Sequence, residues 1–238
     1  MNSEQDILKS FPAAAEYLSN IYLICRDYGE AQNHRLAGWM GVSTSAVTQA
    51  LGRLKKIGLV TQKRYQHVYL TDEGRALAVK VLKRHYLIEH LLVKTLGFPW
   101  DKSDDEAKVL QNQISDDLTE HLFEKLGRPQ TCPHGNPFPG APIEAARLNA
   151  PKLPSAAVGQ TLVVIRITEE GEGIAGMLPF CQEAGLKPGA KVTVVQMDAD
   201  GVTLRVADRS PVLVPTELAR HICFDPDVNA KPPTGDWA

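Results

Sequence analysis

Ser43–Val60 reads STSAVTQALGRLKKIGLV, and the reading of this stretch decides the architecture around it. Ser43 and Thr44 are residue types whose side-chain oxygen satisfies a free amide in the first turn of a helix. Val47, Leu51 and Leu54 recur at helical spacing as one buried stripe, and Gly58 supplies the stop. Ser43, Ser45, Thr48 and Gln49 present short hydroxyl and amide groups that can meet base edges or phosphates. Upstream, residues 13–29 (AAAEYLSNIYLICRDYG) predict a helix with Tyr17, Leu18, Ile21, Tyr22, Ile24 and Cys25 on its apolar side. A shorter helical stretch, HRLAGWMG at 34–41, leads into the turn at Gly41. Downstream, LVTQ at 59–62 and HVYLT at 67–71 alternate as two strands about a basic tip. That order is a winged helix-turn-helix.

Charge agrees with this reading. The 238-residue chain has a net charge of only -2, yet no Asp or Glu occurs from Ala31 to Thr71. The same window carries Arg35, Arg53, Lys55, Lys56, Lys63 and Arg64. A cationic module inside a neutral chain is the electrostatic footprint of a phosphate-backbone binder. Four widely spaced cysteines form no paired framework, and no apolar run is long enough to span a bilayer, so a cytoplasmic protein without membrane contact is expected. Cys25, Cys181 and Cys223 read as core residues.

The remainder of the chain predicts an α+β multidomain protein. After the DNA-binding domain at 1–75, the stretch 76–145 is helix-rich, with Leu87, Leu91, Leu92, Leu118 and Leu122 offering apolar surface for dimerisation. Within it, EAKVLQNQISDDL at 106–118 reads as one amphipathic helix with a second, polar stripe of Lys108, Gln111, Asn112 and Ser115. A Pro-rich linker is expected at 146–158, then a small barrel at 159–226 built from QTLVVIRI, AKVTVVQM, GVTLRVA and SPVLVP, and a tail at 227–238. No phosphate loop, HExxH motif or nucleophile–base constellation occurs, so an enzyme is not expected.

STSAVTQALGRLKKIGLV, LTDEGRALA, RHYLIEHLL and CPHGNPFPG, in this order, resemble the diphtheria toxin repressor family of metal-dependent transcriptional regulators, over nearly the whole chain. The resemblance extends to a C-terminal SH3-like domain of the FeoA type. It implies a homodimer on palindromic double-stranded operator DNA that represses metal-homeostasis genes, most often for iron or manganese. It also implies DNA contact by Ser43, Ser45, Ala46, Thr48 and Gln49, with Ala46 lacking a hydroxyl that the family has. Arg53, Lys55, Lys56, Lys63 and Arg64 are placed to meet the backbone.

For metals, the resemblance places His85 and Glu89 on an ancillary site, with Asp104 where a third ligand is usually His; manganese, iron or, in vitro, zinc would suit that set. His85 and Glu89 as an ordinary surface pair is the alternative. The family's primary site falls on Glu16, Lys108, Gln111 and Asn112, a degenerate set expected to hold no metal, because lysine has no acceptor and neutral amides are weak ligands. Lys108 pairing with Glu16 would then replace the cation. Cys132 and His134 could serve as metal or haem ligands, but their Pro and Gly neighbours favour a turn; by alignment a barrel contribution falls near Ile174 and Met177, and on Glu170 or Glu172 only with a shift. Two alternatives stand beside the metal-responsive repressor: a metal-independent, haem- or redox-responsive regulator of the same fold, and an interaction protein acting through the FeoA-like domain.

Overall fold

The computed structural model describes residues 7, 10–62 and 67–227, and divides the chain into two compact units, Met1–Arg84 and His85–Ala238. In the first unit, helix α1 (Ala14–Tyr28) ends on Gly29 in the left-handed conformation, and helix α2 (Asn33–Met40) ends likewise on Gly41. Helix α3 (Thr44–Lys56) starts on Ser43, whose side chain accepts from the Ala46 amide. Strands β1 (Val60–Gln62) and β2 (Val68–Leu70) pair antiparallel to form the wing. Leu18, Ile21, Ile24, Leu36, Val47, Leu54 and Val68 are fully buried, so the stripes read from the sequence form one core.

Helix α4 (Asp72–His90) continues as a π turn over Leu91–Thr95, a local irregularity of the kind often met at functional sites. The boundary expected between residues 75 and 76 therefore falls inside a helix. In the second unit, helix α5 (Ser103–Leu110) follows a 3-10 turn at Trp100–Lys102, and helix α6 (Asp116–Lys125) follows α5. The single helix expected over 106–118 is broken. Ser115 caps α6 by accepting from the Leu118 amide, and Asp116 and Asp117 favour a helix start, where carboxylates meet the positive dipole end.

Five antiparallel strands then form the SH3-like sheet in the order β6-β5-β4-β3-β7: β3 (Thr161–Ile167), β4 (Lys191–Met197), β5 (Gly201–Val206), β6 (Val212–Pro215) and β7 (Ile222–Asp225). The last, ICFD, is short and carries no alternation, so its pattern gives little to read; it pairs with β3 and buries Ile222, Cys223 and Phe224. Helix α7 (Glu169–Glu172) and helix α8 (Met177–Ala184) lie between β3 and β4 in sequence. The stretch expected as a linker at 146–158 packs instead. Leu153 is fully buried in the barrel core, Lys152 bridges to Cys223, and the Pro151 carbonyl accepts from the Phe224 amide. Cys181 and Cys223 are buried as expected, and Cys25 is half-buried.

Candidate metal centre and DNA-binding face

Glu89 is the hub of the second unit's polar interior. Helical spacing sets His85 and Glu89 on one face of α4, with His85 Nε2 3.5 Å from Glu89 Oε1. Both are buried, at 6% and 0% exposure, which removes the surface-pair alternative. Asp104, in the first turn of α5, brings Oδ1 to 3.2 Å from His85 Nε2. These three form a cluster with metal-ligand spacing, and Glu89, Cys132 and His134 form a second one that shares Glu89.

Cys132 and His134 lie on a turn, as their Pro and Gly neighbours suggest, but the turn is driven into the interior. Gly135 adopts φ +91°, and a Cβ there would lie 2.1 Å from the Ile165 carbonyl oxygen on β3, so only glycine fits. His90 Nε2 donates to the Thr131 carbonyl at 2.6 Å, Trp100 Nε1 donates to the Pro133 carbonyl at 2.9 Å, and Phe138 packs edge-on against Tyr86 at 5.1 Å. So held, His134 is wholly buried and its Nδ1 stands 3.0 Å from Glu89 Oε1. The barrel also reaches this interior. Glu172, at the end of α7, lies 3.8 Å from His134 Nδ1 and accepts from Asn136, whose Oδ1 in turn accepts from Arg166 Nε at 2.6 Å. Of the barrel residues considered from the sequence, Glu172 reaches in, while Ile174 and Met177 pack in the apolar core.

Both imidazoles are oriented from behind. His85 Nδ1 donates to Gln111 Oε1 at 3.1 Å, and His134 Nε2 donates to the Trp100 carbonyl at 3.1 Å. Each ring therefore turns its other nitrogen toward Glu89, the arrangement in which an outer acceptor fixes the tautomer of a metal-binding histidine. Among the described residues neither Glu89 oxygen nor His134 Nδ1 has a well-aligned hydrogen bond, although all three atoms are buried. Burial without such a partner is costly, and a cation would relieve it. Imidazole nitrogen, carboxylate oxygen and a thiol form a donor set that fits a first-row divalent ion.

The electrostatics agree. Burial alone would depress the His85 and His134 imidazoles, but surrounding carboxylates outweigh it and push each up to about 10. Burial would raise the Glu89 and Asp104 carboxyls, but the histidines, and Lys108 for Asp104, hold both low. Burial pushes Glu172 well above the usual carboxylate range, and burial with nearby carboxylates does the same to the Cys132 thiol. Two imidazolium charges and the Lys108 ammonium thus face these two carboxylates, and a divalent ion bound there would displace both imidazolium protons.

Of the degenerate set, Lys108 and Gln111 join this centre rather than forming another. The Lys108 ammonium pairs with Asp104 Oδ2 at 2.5 Å, and Glu16 is an exposed residue of the first unit. Asn112 Oδ1 is buried without a hydrogen bond among the described residues.

On α3, Ser43, Ser45, Thr48, Gln49, Arg53, Lys55 and Lys56 are all exposed and Ala46 is half-buried. Ser43 Oγ lies 2.8 Å from Ser45 Oγ, and Thr48 Oγ1 donates to the Thr44 carbonyl at 2.9 Å. Asn33 joins this face to the wing: its Oδ1 accepts from Gln62 Nε2 at 2.9 Å and its Nδ2 approaches Thr48 Oγ1 at 3.4 Å. The Arg53 guanidinium lies over the Phe11 ring, and Lys55 donates to the Gln62 carbonyl at 3.0 Å. Lys63 and Arg64 lie outside the described residues. No helix among the described residues is long and apolar enough to cross a membrane.

Comparison with known proteins gives these features a common frame. Residues 11–68 match the iron dependent repressor N-terminal DNA binding domain, 71–140 the iron dependent repressor metal binding and dimerisation domain, and 152–226 the FeoA domain. The chain is 31% identical over 216 residues to the iron-dependent repressor IdeR of Mycobacterium tuberculosis, covering 87% of this chain and 94% of that protein. It is 32% identical over 124 residues to the diphtheria toxin repressor of Corynebacterium diphtheriae, covering 52% of this chain and 55% of that one. A solved structure of a manganese-dependent transcriptional repressor in complex with manganese superposes with a TM-score of 0.73 at 30% identity, over 89% of this chain and 98% of that one. The manganese regulator SloR superposes at 0.70 with 26% identity, over 89% of this chain and 97% of that one. Helix α3 and strand β1 fall within the first matched region, the helical segment bearing His85 and Glu89 within the second, and the C-terminal sheet within the third, so this chain belongs to the iron-dependent (diphtheria toxin) repressor family and is a metal-responsive DNA-binding repressor, not an enzyme.

Proposed function

We propose that the chain represses metal-homeostasis genes as a homodimer on a palindromic operator, under control of one divalent cation held by His85, Glu89, Asp104, Cys132 and His134, with Glu172 beside them. The carrying observation is that two buried imidazoles, each tied from behind, both turn their inner nitrogen to the buried and poorly hydrogen-bonded Glu89 carboxylate. A bound cation supplies two positive charges and a tie between α4, α5 and the 131–137 loop. Iron(II) or manganese(II) is the effector, with zinc binding in vitro, because mixed carboxylate, imidazole and thiol donors suit all three. The names of the relatives, iron-dependent and manganese-dependent, support that choice.

Lys108, Gln111 and Asn112 offer no anionic ligand, so the primary position of the family holds no transition metal here. DNA is read by α3 through Ser43, Ser45, Ala46, Thr48 and Gln49, with Arg53, Lys55, Lys56, Lys63 and Arg64 on phosphates. Val109 and Leu118, exposed at 67% and 43%, offer apolar surface for the second copy. The test is binding of the protein to its own upstream DNA by electrophoretic shift. Stripping with chelator abolishes binding, manganese or iron(II) restores it, and Glu89→Gln is not restored. Binding that survives chelation overturns the proposal.

A further inference from the structure

We infer that Lys108 is a built-in tuning cation of the metal centre: by holding the outer oxygen of Asp104 it weakens the centre for divalent metal and raises the concentration at which the repressor responds. This rests on the centre proposed above and goes beyond its ligand set. The Asp104 carboxylate is divided between two partners, Oδ1 toward His85 Nε2 at 3.2 Å and Oδ2 to the Lys108 ammonium at 2.5 Å. Asp104 is buried, whereas the Lys108 side chain is 46% exposed, so the ammonium sits at the rim of the centre with water behind it.

The pair has ordinary i, i+4 helix spacing, but its carboxylate is buried at the centre rather than exposed. Asp105 lies three residues from Lys108 and is 91% exposed, yet its carboxylate is 3.9 Å away. An ammonium has no lone pair to give a metal. Its fixed charge opposes any cation bound by Asp104, and its hydrogen bond draws electron density from that carboxylate. Affinity of oxygen-rich sites follows their net ligand charge, so removing the lysine makes the centre more negative and tighter.

Manganese binding to the full chain, measured by equilibrium dialysis with metal quantification, provides the test. Lys108→Met tightens binding roughly five- to tenfold at low salt, a modest factor because the ammonium is half exposed. The gap narrows as ionic strength rises toward about 1 M, where screening acts within ~3 Å. A purely structural role would not depend on salt in this way. Lys108→Arg, which keeps the charge, stays near the parent affinity. Unchanged or weaker binding in Lys108→Met, a gap indifferent to salt, or Arg behaving as Met overturns the inference. Glu89→Gln separates the two levels. If it still binds manganese, the proposed centre is wrong; if it does not and Lys108→Met matches the parent, only the tuning role falls.

Discussion

Gln111 shows what a neutral side chain contributes to a charged interior. It is buried, and its carbonyl occupies His85 Nδ1, so only Nε2 is left to face Asp104 and Glu89. Without that acceptor the ring can flip or take the other tautomer, and the inward nitrogen is no longer assured. Gln111→Leu is expected to weaken manganese binding by roughly 10–100-fold, the usual effect of losing an outer hydrogen bond to a ligand histidine, with little change in far-UV dichroism. Equilibrium dialysis measures it. In the sequence Gln111 is legible as a member of a polar stripe and, through the resemblance, of the degenerate primary site. That it serves His85 depends on the approach of α5 to α4, which spacing within one helix does not encode.

Among the elements, those whose signal is local were readable and those assembled by packing were not. The winged helix follows from the Ser43 cap, the Val47–Leu51–Leu54 stripe and stops at Gly29, Gly41 and Gly58, all short-range features. His85 and Glu89 are picked out by the family resemblance, and their i, i+4 spacing on one helix face agrees with it. The turn at 131–137 was also recognised, but composition cannot say whether a turn faces water or the interior. Cys132, His134 and Glu172 therefore went unread as a group, since they meet only across distant contacts. Gly135→Ala tests that element. The added methyl would meet the Ile165 carbonyl in a backbone conformation unfavourable to alanine, at 2.1 Å. A destabilisation of roughly 2 kcal/mol or more is expected. Urea denaturation should show it, with loss of manganese stoichiometry as His134 is displaced.

At the scale of the whole molecule, pH acts through the same buried charges. His85 and His134 are raised from 6.5 to about 10, so their folded state holds protons that the unfolded chain releases at lower pH. Their stabilising contribution is full below about 6.5, declines as pH rises, and is gone above about 10. Metal-stripped protein is thus expected to lose thermal stability between those limits, while the manganese-loaded form, whose imidazoles are neutral, declines less. Calorimetric scans of both forms across that range check it. Titrations in buffers of differing ionisation enthalpy should also report close to three protons released per ion bound near neutral pH, two from the imidazoles and one from the Cys132 thiol. An apo form whose melting temperature is flat or rises over the range would contradict the charge balance.

The spread of the ligands along the chain has a topological consequence. His85 and His134 are 49 residues apart (134 − 85), and Glu172 lies 38 further on (172 − 134). An ion joining the first two would close that loop in the folded state alone, because the unfolded chain releases it. The bond would exist only while the free ion exceeds its dissociation constant, and its contribution grows with the logarithm of concentration. The cell's metal supply would then act on this unit as a reductant acts on a disulfide, with depletion opening a staple rather than merely emptying a pocket.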